Sequence, residues 1–269
     1  MKQLLGVLLL ACILPAAAAP VRVASVSLCT DLLLLEVAAP AQIASLTWLA
    51  SDPALSPFAE QARRLPANHG HVEELLQLAP ELVLADDMTP KRTRDLLARL
   101  GLRVEVIPMA HTPPAIREAL KRVARLLGRE QESASLLDAF NALGPAPARA
   151  TPASAWFIQS GGHTPGQPSV ATALLKTAAL DDAAARAGYA QGGFVSVERL
   201  VASAPRFLLV PLAATGTQSL GSRYLDHPAL RHALPDRRLT PIALDEANWT
   251  CGSSAFLHAA RALRAATRD

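Results

Sequence analysis

The chain has 269 residues, of which 51% are hydrophobic, 18% charged and 4% aromatic, with 21 prolines and three cysteines. That composition excludes a disordered chain, which is poorer in apolar residues and richer in charge, and the length fits one large domain or two of ordinary size. A net charge of +3 comes from 26 basic and 23 acidic residues with no run of five or six like charges, which argues against a nucleic-acid partner.

Residues 1–19, MKQLLGVLLLACILPAAAA, have the three-part layout of a secretory signal peptide: one lysine, an apolar run from Leu4 to Leu14, then small residues. The run is too short to cross a bilayer core of about 30 Å as a helix. Leu9-Leu10-Ala11-Cys12 loosely resembles a lipobox, so a lipid anchor at Cys12 is the rival to ordinary cleavage near Ala18 or Ala19. Ordinary cleavage removes Cys12 and leaves Cys29 and Cys251 in an oxidising compartment, where disulfide, buried free thiols and metal ligation are the three readings.

After the leader, VRVASVS (21–27) reads as a buried strand, and LCTDLLLLEVA follows as a helix that Thr30 or Asp31 would cap. Then come IASLTWL (43–49) as a strand, HVEELLQLA (71–79) as a helix, ELVLA (81–85) as a strand, KRTRDLLARLG (91–101) as an amphipathic helix ended by glycine, and RVEVIPM as a strand. Strands alternating with helices of about ten residues predict parallel βαβ units, whose ligand crevice lies at the carboxyl ends of the strands. Residues 113–143 read as helix in two pieces about Gly128, and GPAPARATPAS (144–154) as an exposed connector. The alternation restarts with SAWFIQS as a strand, SVATALLKTAAL and VSVERLVASA as helices, RFLLVPL as a strand and SAFLHAARALRAA as the last helix. Val72–Leu84 and Val197–Leu209 align without a gap, six of thirteen residues identical, matching Glu73 with Glu198 and Pro80 with Pro205. A helix-Pro-strand unit used twice predicts two lobes of related build.

Four segments in this order, RVASVSLCTDLLL, HVEELLQLAPELVLA, FVSVERLVASAPRFLLV and NWTCGSSAFLHAARAL, resemble the periplasmic substrate-binding proteins of ABC importers that take up ferric siderophores, haem and cobalamin. The resemblance implies an α/β fold of two Rossmann-like lobes with parallel sheets joined by a long helix: signal peptide 1–19, N-terminal lobe 20–112, bridging helical segment 113–143 and C-terminal lobe 144–269. It implies a monomer when free, with no cofactor, that carries a metal chelate to permease and ATPase subunits. Glu73 and Glu198 fall where the family places one glutamate per lobe to meet an arginine pocket of the permease, beside the plain alternative of helix-start glutamates favoured by the macrodipole.

On this fold the cleft loops carry the candidate ligand-binding residues Cys29, Thr30, Trp48, His69, His71, Asp86, His111, His163, Tyr189, Phe194 and Trp249, with Asn68, Asp87, Met109 and Ser160 beside them. A neutral imidazole can ligate a haem iron, and aromatic faces suit a flat macrocycle, whereas satisfied loop histidines and core tryptophans are the ordinary alternatives. No histidine pair has the i, i+4 spacing of a preformed metal site, so the metal is left unknown. The resemblance implies aromatic side chains near Asn68 and Asp86 in cobalamin-binding members, and these polar positions count against cobalamin; the absence of an arginine cluster on these loops counts against an anionic catecholate. The competing class is an exported hydrolase-like enzyme using Cys29 or Ser160 with a histidine; no G-x-S-x-G elbow is present, and QSGGHT is the nearest approach to a catalytic loop.

Overall fold

The computed structural model describes residues 21–146, 148, 150–212, 227–233 and 239–268. The leader read at residues 1–19, with Cys12, lies outside them. Among the described residues no helix is long and apolar enough to cross a membrane.

The first lobe is a five-stranded parallel sheet in the order β3-β2-β1-β4-β5, made of β1 (Val23–Ser25), β2 (Ile43–Thr47), β3 (Ala67–Asn68), β4 (Leu82–Ala85) and β5 (Val104–Val106). Three of these strands, β1, β2 and β4, are buried at every position, as a sheet covered by helices on both faces requires. Its helices are α1 (Leu28–Val37), the short α2 (Ala59–Ala62), α3 (Val72–Leu78) and α4 (Lys91–Arg99). The cap of α1 differs from the sequence expectation: Ser27 accepts from the Thr30 backbone N–H at 3.4 Å. Asp31 is turned into the lobe instead, where its carboxyl accepts from the backbone N–H and hydroxyl of Thr47.

The chain leaves this lobe through α5 (Pro113–Leu127), capped by Thr112 and ended by Gly128 at φ 63°, and α6 (Glu130–Asn141) packs back on it. The left-handed glycine breaks the bridging segment into two pieces.

The second lobe has a four-stranded parallel sheet in the order β11-β10-β6-β8, made of β6 (Ser154–Phe157), β8 (Asp181–Asp182), β10 (Phe207–Pro211) and β11 (Thr240–Leu244), and an antiparallel pair, β7 (His163–Thr164) with β9 (Gly193–Phe194). Its helices are α7 (Val170–Thr177), α8 (Val197–Ser203), α9 (Pro228–Ala233) and the C-terminal α10 (Ala255–Ala266). The order β2-β1-β4-β5 of one lobe recurs as β8-β6-β10-β11 in the other, so the repeat seen in sequence is a repeat of topology. It extends to the backbone: α3 and α8 each run seven residues and end on an alanine in the left-handed region, Ala79 and Ala204, both at φ 44°, before Pro80 and Pro205. β11 carries Pro241, which is tolerated because the strand is the edge of its sheet.

One apolar core runs through both lobes. It includes Leu32 and Leu34 of α1, Ile116 and Leu120 of α5, Leu174 of α7, Leu209 of β10 and Phe256 and Leu263 of α10. The segment before α10 crosses from one lobe to the other within a few residues. Trp249 lies on Phe157 of the second lobe with ring centroids 5.1 Å apart, whereas Cys251 is disulfide-bonded to Cys29 of α1 and the Ser254 N–H donates to Glu36 of α1 at 2.7 Å. A Cβ on the intervening Gly252 would lie 2.0 Å from the Ala110 carbonyl oxygen, so only glycine lets the crossing chain pass this close. Arg264 completes the join, donating to the carbonyls of Leu143, Gly144 and Pro145 at the end of the bridge and of Thr177 at the end of α7.

Two carboxyls in α1 are buried in this construction. Burial pushes the pKa of Asp31 up to about 7 against the opposing hydrogen bonds of Ser25 and Thr47, and that of Glu36 up to about 7 against the bonds from Ser254. In the unfolded chain both groups titrate near 4. The folded state therefore holds extra protons between about pH 4 and 7, and the stabilisation they give is complete below pH 4 and lost as the pH rises through 7. The midpoint of thermal unfolding is expected to rise as the pH falls from 8 to 5, with each group contributing at most about 1.4 kcal/mol per pH unit. Glu36→Gln should flatten that dependence, and a wild-type midpoint that falls over the same range would contradict the assignment.

Candidate functional site

In a parallel sheet the carboxyl ends of all strands lie along one edge, and a helix leading into such a strand starts at that edge. The segments after β1, β2, β3, β4 and β5 in the first lobe, and after β6 and β11 in the second, therefore gather most of the residues singled out in the sequence; Tyr189 follows β8 and Phe194 lies in β9. They fall into separate groups.

At the junction of the lobes, a narrow pocket is lined by Cys29, Thr30, Asp86, Met109 and His111 from the first lobe and Val170 at the start of α7 in the second. Thr30 and Asp86 are committed to neighbours within the first lobe. The Thr30 hydroxyl lies 2.7 Å from that of Ser25, and Asp86 accepts from the Ser27 hydroxyl at 2.6 Å and from the Thr89 N–H and hydroxyl at 2.8 and 2.9 Å. Asn68 is likewise internal, its amide donating to the Ser25 carbonyl and the Ser45 hydroxyl. Thr30, Asn68 and Asp86 thus form the rigid floor of the lobe. Asp87 beside them accepts from the Met109 N–H at 3.1 Å, tying the loop after β4 to the loop after β5.

A second group stands at the end of β3. His69 and His71 are exposed and their rings stack with centroids 6.3 Å apart. Glu74 in the first turn of α3 holds His69 twice, taking the backbone N–H at 2.7 Å and facing Nδ1 at 3.1 Å. These bonds, led by the one from the His69 backbone, keep the Glu74 carboxyl below the usual carboxylate range. Trp48, directly after β2, is 52% exposed, and Met88, after β4, stands in solvent.

The third group belongs to the second lobe. His163 opens β7 directly across from Phe194 of β9, the rings edge to face at 5.3 Å, and Phe194 is 77% exposed. A Gly161-Gly162 turn, both residues at positive φ, brings the chain round so that the Gln159 N–H donates to the His163 carbonyl at 2.7 Å. The side chains repeat that closure: His163 Nδ1 lies 2.9 Å from Gln159 Oε1, and Gln159 Nε2 donates to Glu246 Oε1 at 3.1 Å. Gln159 and Glu246 were not among the expected site residues. The Q-x-x-x-H spacing about a Gly-Gly turn is the one local signal of the first; the second is 87 residues away and gives none.

One aromatic expectation is corrected. Trp249 is 4% exposed with its ring on Phe157, so it closes the shared core and presents no face to the cleft. Tyr189 is half-buried against Trp156, 5.8 Å between centroids, and packs on the second lobe's own apolar cluster. Cys29 and Cys251 are joined to each other, with Cα atoms 5.2 Å apart, so neither is a free thiol. That removes the cysteine nucleophile from the hydrolase-like alternative; the side chain of Ser160 lies outside the described ones. Among the described residues no three His, Cys, Asp or Glu side chains come together as a metal site, and the histidines are offered singly or as the His69–His71 pair.

Glu73 and Glu198 are both exposed in the first turns of α3 and α8, at equivalent places in the two lobes and at the edge where the cleft opens. The Glu198 carboxyl is held below the usual range by its own backbone N–H and the Ser196 hydroxyl, and so stays ionised.

Two lobes of one topology, parallel sheets and a crevice at the strand ends define a bilobal binding protein. The family model for periplasmic binding proteins matches residues 23–232, and the chain belongs to that family. Among solved structures it is similar to the periplasmic haem-binding protein HutB of Vibrio cholerae, at 18% identity and TM-score 0.73 over 93% of this chain and 99% of that one. It is also similar to the periplasmic haem-binding protein RhuT from Roseiflexus sp. RS-1 (21%, 0.71, 92% and 99%) and to the periplasmic vitamin B12 binding protein BtuF of Vibrio cholerae (14%, 0.67, 91% and 96%). At these identities the likeness establishes the fold. No curated protein matches the chain in sequence. The family and these neighbours are binding proteins, not enzymes.

Proposed function

We propose that the protein is the substrate-binding subunit of an ABC importer, exported to the periplasm by the leader at residues 1–19. It captures a metal chelate between its lobes and delivers it to the permease and ATPase subunits. The observation that carries this reading is that each lobe presents, at its strand-end edge, an exposed aromatic and a histidine whose Nδ1 faces an oxygen: Trp48, and His69 on Glu74, in the first lobe; Phe194 against His163, itself on Gln159, in the second. Aromatic faces suit a flat, partly apolar macrocycle, and an imidazole whose Nδ1 is held by an oxygen has its Nε2 available for a metal. Among the chelates of this class, haem fits that combination best. The haem-binding neighbours support the choice.

Titration with ferric haem is expected to give a one-to-one complex with a shifted Soret band, a raised unfolding midpoint and no turnover. Native mass spectrometry of protein taken from the periplasm should show the same cargo. A chain that leaves the haem spectrum unchanged and co-purifies with a ligand lacking a metal would overturn the reading.

A further inference from the structure

The three-residue chain His163–Gln159–Glu246 has a direction. An ionised glutamate is an acceptor only, so the Gln159 group facing Glu246 Oε1 at 3.1 Å is its NH2, and the oxygen of the amide must then face His163. An amide oxygen accepts only. The proton of a neutral His163 ring therefore sits on Nδ1, and Nε2 keeps its lone pair, with no hydrogen-bond partner among the described residues. The scaffold under this chain is stiff: Glu246 opens a short turn capped by Asp245, whose carboxylate accepts from the Ala247 N–H at 3.2 Å, and Trp249 and Thr250 both donate to the Glu246 carbonyl. On the other side Phe194 sits edge-on to the imidazole.

We propose that Gln159 and Glu246 are positioning residues that fix His163 as its Nδ1–H tautomer and so present the Nε2 lone pair to the metal of a bound chelate. The proposal rests on the cleft-binding reading above, and it adds what that reading lacks: why this histidine meets a metal without a prior proton rearrangement. Partners of this kind orient a ligating imidazole, and their loss typically weakens metal affinity by roughly 10- to 100-fold.

The first test needs no ligand. In protein labelled with 15N-histidine, with the His163 signals identified by their loss in His163→Ala, the wild type is expected to show a protonated Nδ1 and a bare Nε2. Gln159→Leu should move the proton to Nε2, and the reversed pair Gln159→Glu/Glu246→Gln, which rebuilds the chain with donor and acceptor exchanged, should restore the wild-type tautomer. A wild-type ring protonated on Nε2, or a reversed pair no different from Gln159→Leu, would overturn the proposal. The second test is titration with ferric haem: Gln159→Leu should weaken binding about 10- to 100-fold in the wild-type background and not at all in His163→Ala. An equal loss in both backgrounds would make Gln159 merely structural and overturn the proposal. A wild type with the expected tautomer that binds no ferric haem would overturn the haem assignment while supporting the tautomer lock.

Discussion

Reduction of the Cys29–Cys251 bond is expected to lower the unfolding midpoint by roughly 10 to 20 °C. The bond closes a loop with a sequence separation of 222, for which loop entropy gives about 5 kcal/mol as an upper figure. In a domain pair of this size each kcal/mol moves the midpoint by about 2 to 4 °C. The location adds a mechanical consequence. Cys29 lies in the first turn of α1, and Cys251 in the segment that has just left Phe157 of the second lobe, so the bond ties the lobes beside the junction pocket. Glu36 with Ser254, and Gly252 on Ala110, hold the same crossing without covalent help, so the reduced protein should stay folded at 25 °C while its lobes sample wider openings. Differential scanning with and without reductant, with Cys29→Ser/Cys251→Ser as the reductant-insensitive control, measures the effect. An intact mass that does not rise by about two units on reduction, or a midpoint that does not move, would count against it.

The two-lobed plan was legible because it is written locally. Glu73 and Glu198 are each followed after seven residues by a proline, and the structure shows why: a two-turn helix, one alanine forced to φ 44°, then a strand beginning just beyond Pro80 or Pro205. The sequence carries a further echo: Ser27-x-x-Thr30 and Ser169-x-x-Thr172 cap the equivalent helices α1 and α7 in the same way. The elements that escaped are those whose strand character comes from neighbours. β8 is Asp181–Asp182 and gains its place only by pairing with β6, and β11, with Pro241 in it, is a strand because β10 lies beside it.

Where the candidate residues lie along the chain was legible, and what their side chains touch was less so. Loop residues after predicted strands did arrive at one edge, because a parallel sheet permits nothing else. What residue type does not reveal is whether a side chain faces the cleft or the core. Trp249 turned inward because Phe157 and the apolar face of α10 lie beneath it, and Thr30 turned toward Ser25. Pairings over long separations, such as Gln159 with Glu246 or Glu36 with Ser254, have no local signature.

Glu73→Ala combined with Glu198→Ala is expected to abolish uptake into transporter-bearing vesicles while leaving ferric haem affinity unchanged. Both carboxylates are exposed, both stand in the first turn of a helix that starts at the cleft edge, and neither contributes to the junction pocket or to the His69 and His163 groups. On the proposed docking role, a negative charge on each lobe would give a permease with basic pockets two points by which to orient the cleft. Truncating one partner of such a contact costs roughly 2 to 5 kcal/mol, so the double variant should weaken docking by about three orders of magnitude or more. Because a two-point dock fails in proportion to the charge removed, each single variant should retain part of the uptake and lose it faster as salt rises. If the glutamates serve only their helix starts, the double variant would lose a little stability through the macrodipole and transport as the wild type does. Unchanged uptake at full ferric haem binding would therefore remove the docking role, and loss of haem binding in the double variant would place these residues in the cleft.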